Sequence, residues 1–239
     1  MISDLLFIQP RGSKVLKNLG LAMCKTEVLA FLFAFLMAGI MWGYLENFLF
    51  WHLEDLGATK FLMGISLAVG TIAGVPLTIF SKLIIQGLGH RKIVVLAIIL
   101  YAIRMFGYSA LNQVEIFLAF EVAKPFCTTL LLISVMTFVK DKAPLTTIAT
   151  MEAIFGSTYF GLGRGLGGLF GGFSIEAFGN VQTFRIFGVV ALVSAVIYSL
   201  IIIVNRVTKS KKYILPVVWK LGIFRMKLTQ PQLILQSLK

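Results

Sequence analysis

Long apolar runs alternate with short polar segments along almost the whole chain. The first, over residues 28–51, holds about 24 residues, or ~36 Å of helix, enough to cross a hydrocarbon core of ~30 Å. Runs of the same kind occupy about 61–85, 93–110, 115–139, 147–173 and 184–204. This pattern predicts an all-α, polytopic membrane protein: a six-helix membrane domain over 27–204, an N-terminal tail (1–26) and a basic C-terminal tail (205–239). The connections between runs are short. One over 52–60 is acidic, those over 87–92 and 140–144 are basic, and the one over 111–114 is minimal. Gly70, Gly74 and Pro76 fall inside the second run, where they are expected to bend it.

Composition sharpens this picture. Of 239 residues, 58% are hydrophobic, only 13% are charged and 21 are Phe, a balance that no soluble domain of this length could hide in a core. The net charge of +12 would suit a nucleic-acid partner if it were spread over a surface. Instead, of the 22 basic residues, four lie in the N-terminal tail (Arg11, Lys14, Lys17, Lys25), two in each basic turn and eight in the C-terminal tail. The other connections hold essentially Lys60, with Arg185 at the edge of the last run. Such alternation is what the positive-inside rule demands. Both termini are therefore expected in the cytoplasm, at the plasma membrane or an endomembrane, and no nucleic-acid partner is expected. The two cysteines, Cys24 and Cys127, have neither the count nor the spacing of a disulfide framework or metal site. No cleavable signal pattern opens the chain, so its first apolar run is expected to act as its own insertion signal. Apolar residues of the C-terminal tail, Trp219 and Phe224 among them, suggest contact with the bilayer surface.

The informative residues are the charges inside the runs. Glu46, Arg104, Glu121, Lys124 and Arg164 each fall about five to nine residues from the outer end of their helix, roughly 7 to 14 Å below the outer boundary at the helical rise. Exposed singly to lipid, these five would cost on the order of 10 kcal/mol together, comparable to the stability of a whole domain. They are expected to face inward, onto one another or onto a hydrated cavity. Static salt bridges are one reading. The other is a proton and substrate pathway, favoured by the excess of cations over acids in the layer, with Glu46 the first choice of proton carrier because Gly43 and Asn47 beside it offer room and a hydrogen bond. Glu121 and Lys124 are spaced to pair along one helix, and Tyr101, Arg104 and Tyr108 share one helical face. His52 and His90 fall in turns and are expected to be solvated. Gly163, Gly167 and Gly171, at i, i+4 and i+8, form a smooth strip on which another helix can ride.

The stretch GLGRGLGG at 161–168 resembles a phosphate loop only superficially: it lacks a preceding strand and a Lys-Ser or Lys-Thr end, and it lies in a membrane run. No catalytic constellation is present, and neither an enzyme, a cofactor nor a metal site is expected.

Six runs with basic inner turns, the glycine-rich fifth run and the turn Gly89-His90-Arg91-Lys92 resemble the C-terminal half of a major facilitator superfamily transporter. The segment WGYLENFLFWHLEDLG at 42–57 is similar to the seventh helix and following turn of the animal major facilitator superfamily domain-containing protein 6 group, and 161–168 with Phe184-Arg185 to its last two helices. The resemblance covers about 27–204. It implies proton-coupled symport of a small solute by alternating access, with Glu46, Arg104, Glu121 and Arg164 on cavity-lining helices. It also implies a partner, either an N-terminal six-helix half or a second copy of the chain, since family members place the site between two six-span halves.

Overall fold

The computed structural model describes residue 20 and residues 23–111 and 116–228, with side chains up to residue 208. Every element among them is helical. The first apolar run forms α1, Thr26–Asp55, which extends past the expected 28–51 because no breaker intervenes before Gly57. There the chain turns with φ +85°, while Gly57 N–H donates to Glu54 O at 2.9 Å and Ala58 N–H to Leu53 O at 2.9 Å. These are the paired bonds of a Schellman stop, which requires a residue that tolerates positive φ. His52 therefore belongs to the helix and not to a turn.

Helix α2, Lys60–Leu88, starts at Thr59, whose hydroxyl caps Leu62 N–H. It runs through Pro76 without interruption. Gly89 (φ +77°) ends it and begins α3, His90–Ser109. Residues 112–115, which include all but Leu111 of the expected minimal turn and the start of the fourth run, lie outside the described residues. The fourth run is broken into α4, Phe117–Val122, and α5, Lys124–Lys142. Pro125 explains the break, because it has no N–H to give to the carbonyl of Glu121. The glycines of α2 are contact points at this break. A Cβ on Gly70 would stand 3.5 Å from Glu121 O, and one on Gly74 would stand 3.3 Å from Pro125 Cβ.

The fifth run becomes a rod of three successive segments: α6, Ile148–Gly156, a π-helical stretch, Ser157–Gly163, and α7, Arg164–Phe178. Gly179 (φ +78°) then leads into α8, Asn180–Leu228. Five helices among the described residues are long and apolar enough to cross a membrane: α1, α2, α3, Phe117–Lys142 and Asn180–Thr208. The rod's segments are each too short alone, because the π-helical stretch divides it.

The described residues up to Ser199 form one packed unit; a second, from Leu200 onward, is helical where described. In the first unit, α1 packs along the rod through facing glycines. A Cβ on Gly163 would lie 2.7 Å from Gly39 Cα, one on Gly43 would lie 2.5 Å from Arg164 Cα, and one on Gly167 would collide with the carbonyl of Ile40. Gly171 receives the rings of Tyr44 and Phe48. Without lipid-exclusion forces between helices, such close backbone approach is a main source of cohesion in a membrane. Aromatic rings fill the centre: Phe31 stacks on Phe138 at 4.2 Å and Tyr44 on Phe187 at 4.2 Å.

Candidate functional site

Arg104 of α3 is 2% exposed, as is Glu121 of α4. Arg104 Nη2 donates to Glu121 Oε1 at 2.9 Å, and Tyr108 OH donates to the same oxygen at 2.7 Å. Arg104 also donates through Nε and Nη2 to the Tyr108 hydroxyl at 3.2 and 2.8 Å. Arg104 and Tyr108, from the face they share with Tyr101, thus close a triangle with the Glu121 carboxylate. One turn away, the Tyr101 and Tyr159 hydroxyls share a 2.7 Å hydrogen bond between α3 and the π-helical stretch. Charge-assisted bonds of this kind are strong, and a buried ion pair that loses one partner is destabilised by several kcal/mol.

The second pair joins other helices. Lys124 Nζ of α5 lies 3.3 Å from Glu46 Oε1 of α1, with about a third of each side chain exposed. The expected pairing of Glu121 with Lys124 along one helix is not made. The break at Ala123 redirects the two residues, so each takes its partner from a different helix. Glu46, Arg104, Glu121 and Lys124 border one cavity of about 30 Å³, walled by Trp42 and Leu67. That is room for roughly one or two waters.

Arg164 does not reach this cavity. It sits beyond Trp42, with its guanidinium carbon 5.3 Å from that ring's centroid, and opens onto a separate groove of about 720 Å³ bordered by Asn47, Trp51 and Phe160. Four of the five expected charges therefore converge, and the fifth stands apart, with Trp42 bordering one space and stacking beneath the cation of the other. The surroundings read for Glu46 also differ. Gly43 gives no room, since the rod's backbone at Arg164 fills its face. Asn47 donates to Gly43 O at 2.7 Å and faces the Arg164 groove.

Neither histidine is solvated as expected. His52 is 3% exposed and its Nε2 donates to Tyr108 O at 3.1 Å, tying α1 to the end of α3. His90 packs against Phe31 and Phe138. At the other end of the bundle, Glu27 binds Arg91 at 3.0 Å and Lys142 at 3.2 Å, so one carboxylate links the two basic turns. Sequence reading missed Glu27, Tyr108 as a donor to Glu121, and the packing role of Gly39 and Gly43. The i, i+4 spacing of those glycines carries the same signal as the strip on the rod. Among the described residues, no group of acids, cysteines and histidines could hold a metal.

Comparison with known proteins gives a consistent relationship. The MFS_1 like family matches residues 9–186. "Major facilitator superfamily domain-containing protein 6-like protein B" of Xenopus laevis is 23% identical over 190 residues, 80% of this chain and 31% of that protein. Its Homo sapiens relative, major facilitator superfamily domain-containing protein 6-like, is 27% identical over 142 residues, covering 59% of this chain and 24% of that one. The Danio rerio protein is 30% identical over 152 residues, covering 60% and 27%. Among solved structures, the nucleoside transporter NupG superposes with a TM-score of 0.69 at 14% identity, over 82% of this chain and 53% of that one. The chain thus spans about a quarter to a third of the length of these curated relatives and about half of the solved transporter.

Proposed function

Because the chain belongs to the MFS_1 like family, we propose that it is part of a secondary transporter that moves a small solute with a proton by alternating access. Its fold is that of an all-helical integral membrane protein, and neither family nor fold points to an enzyme. The observation that carries the reading is the meeting of Glu46, Arg104, Glu121 and Lys124 around one small polar cavity within apolar helices. Charges at this depth are costly unless paired or wet, and they commonly mark ion and substrate paths.

The two acids are held differently, and this suggests their roles. Glu121 is enclosed by Arg104 and Tyr108 and acts as the fixed element. Glu46 is about a third exposed with Lys124 as its one ion-pair partner among the described residues, and is the proton carrier. Protonating Glu46 removes the charge that holds Lys124 and frees the ammonium group. Loss of the proton restores the pair. The exposed faces of the bundle meet a second six-helix unit, either an N-terminal half or a second copy, with the solute between them. Both termini face the cytoplasm, which places the Glu27, Arg91 and Lys142 cluster on that side.

A second reading has an observation of its own. Both acids of the layer are already paired, and Arg104 and Glu121 are fully desolvated, as in a static register lock of a non-transporting receptor or scaffold. Reconstitution in proteoliposomes separates the two. An acid-outside gradient is expected to drive uptake from a panel of labelled nucleosides and organic acids, and E46Q is expected to abolish the gradient dependence while still inserting. Uptake unchanged in E46Q would remove Glu46 from the mechanism. Rescue of E121R by R104E, with no gradient-driven uptake in any form, would favour the scaffold.

A further inference from the structure

Two of the three cations in the membrane layer are neutralised, Arg104 by Glu121 and Lys124 by Glu46. Arg164 has no acid within ion-pair distance among the described residues. Its side chain is exposed in the groove between α1 and the rod, where an isolated cation facing hydrocarbon would be costly. The groove is built as a receptacle. Its floor is glycine: a Cβ on Gly161 or Gly165 would meet nothing within 4 Å, so the cation is approached across bare backbone. Its walls are aromatic, with Trp51 62% and Phe160 48% exposed. The Trp42 ring backs the guanidinium at 5.3 Å. Asn47 commits one N–H to Gly43 O, which leaves its amide oxygen and second N–H at the groove edge. The π-helical turn that ends at Gly163 sets the direction of Arg164; such turns are enriched where a helix presents a functional side chain. The groove is wide and open, about 720 Å³, so a ligand would lie along it with one face uncovered.

We propose that this groove is the subsite for an anionic solute bearing a flat apolar ring, its carboxylate or phosphate on Arg164 and its ring against Trp51 and Phe160. The planar guanidinium fork matches either oxyanion in a bidentate manner, and the aromatic walls offer the ring a stacking surface. This deepens the transport reading and rests on it only for the solute's fate after binding.

The test uses the chain in nanodiscs of neutral phosphatidylcholine, with tryptophan fluorescence as the readout and no gradient applied. The probes are 4-nitrobenzoate, 4-nitrophenyl phosphate and the uncharged 4-nitrobenzyl alcohol, whose nitro groups quench nearby indoles. Saturable quenching by one or both anions, about tenfold or more tighter than the alcohol, is expected, and which anion binds more tightly separates carboxylate from phosphate solutes. R164Q is expected to bring the anion down to the level of the alcohol, and R164K to fall between. Equal quenching by all three probes in the unmodified chain overturns the proposal without reference to any variant, as does a well-folded R164Q that binds like the original. Anion binding without uptake by this chain alone leaves the subsite standing; gradient-driven uptake of neutral solutes without anion binding would overturn the subsite and leave the transport reading standing.

Discussion

Tyr108 donates a hydrogen bond from its phenol O–H to Glu121 Oε1 at 2.7 Å, across the gap between α3 and α4. That bond, with Arg104 on the same oxygen, makes Glu121 the most tightly held acid in the membrane layer. Y108F removes one charge-assisted donor and is expected to lower stability by roughly 1.5–3 kcal/mol. R104Q, which leaves a buried carboxylate without its cation, is expected to cost roughly 3–5 kcal/mol. Thermal unfolding in detergent checks the order. A Y108F loss as large as that of R104Q would mean that the phenol, and not the ion pair, anchors Glu121.

The glycine seam supplies its own control. G167A is expected to abolish monodisperse protein, because the new methyl collides with the Ile40 carbonyl, while G161A and G165A are expected to behave as the original, with nothing within 4 Å of the added carbon. Size-exclusion chromatography of the three variants decides it. If G167A is as well behaved as G165A, α1 and the rod do not pack through this seam.

Part of this arrangement is legible in the sequence and part is not, for physical reasons. Apolar runs and their punctuating glycines, Gly57, Gly89 and Gly179, locate helices because hydrocarbon forces continuous backbone pairing and only glycine accepts the positive φ of the stops. Small residues at i, i+4 likewise announce a contact strip. Spacing alone does not reveal partners. Glu121 and Lys124 stand at pairing distance on an ideal helix, but Pro125 breaks that helix and sends each to another. Arg164 shares the depth of the other charges yet not their cavity, because depth follows from the rise per residue while azimuth depends on packing and on the π-helical turn before it. The acidic residues after His52 resemble a turn, but the helix runs on past them to its stop at Gly57, which carries His52 into the packed interior.

The cluster at the other end predicts an electrostatic signature. E27A removes both the Arg91 and Lys142 contacts, and with these side chains partly solvated the loss is expected to be about 1 kcal/mol or less. Unfolding measured at low and high salt should show the difference shrink as salt rises. A loss that ignores salt would point to packing.

Orientation is open to Cys24, which is exposed near the start of α1, while Cys127 is buried. With Cys127 replaced by Ser, a membrane-impermeant thiol reagent is expected to label Cys24 only after cells are permeabilised. Labelling of intact cells would reverse the proposed topology.

Whether Glu46 exchanges a proton is best read by infrared difference spectroscopy on the reconstituted protein as pH is lowered from neutral. One component of the protonated-carboxyl band is expected in the unmodified chain and in E121Q, and that component should be missing from the E46Q difference spectrum. A band lost in E121Q and retained in E46Q, or spectra identical in all three, would contradict Glu46 as the carrier.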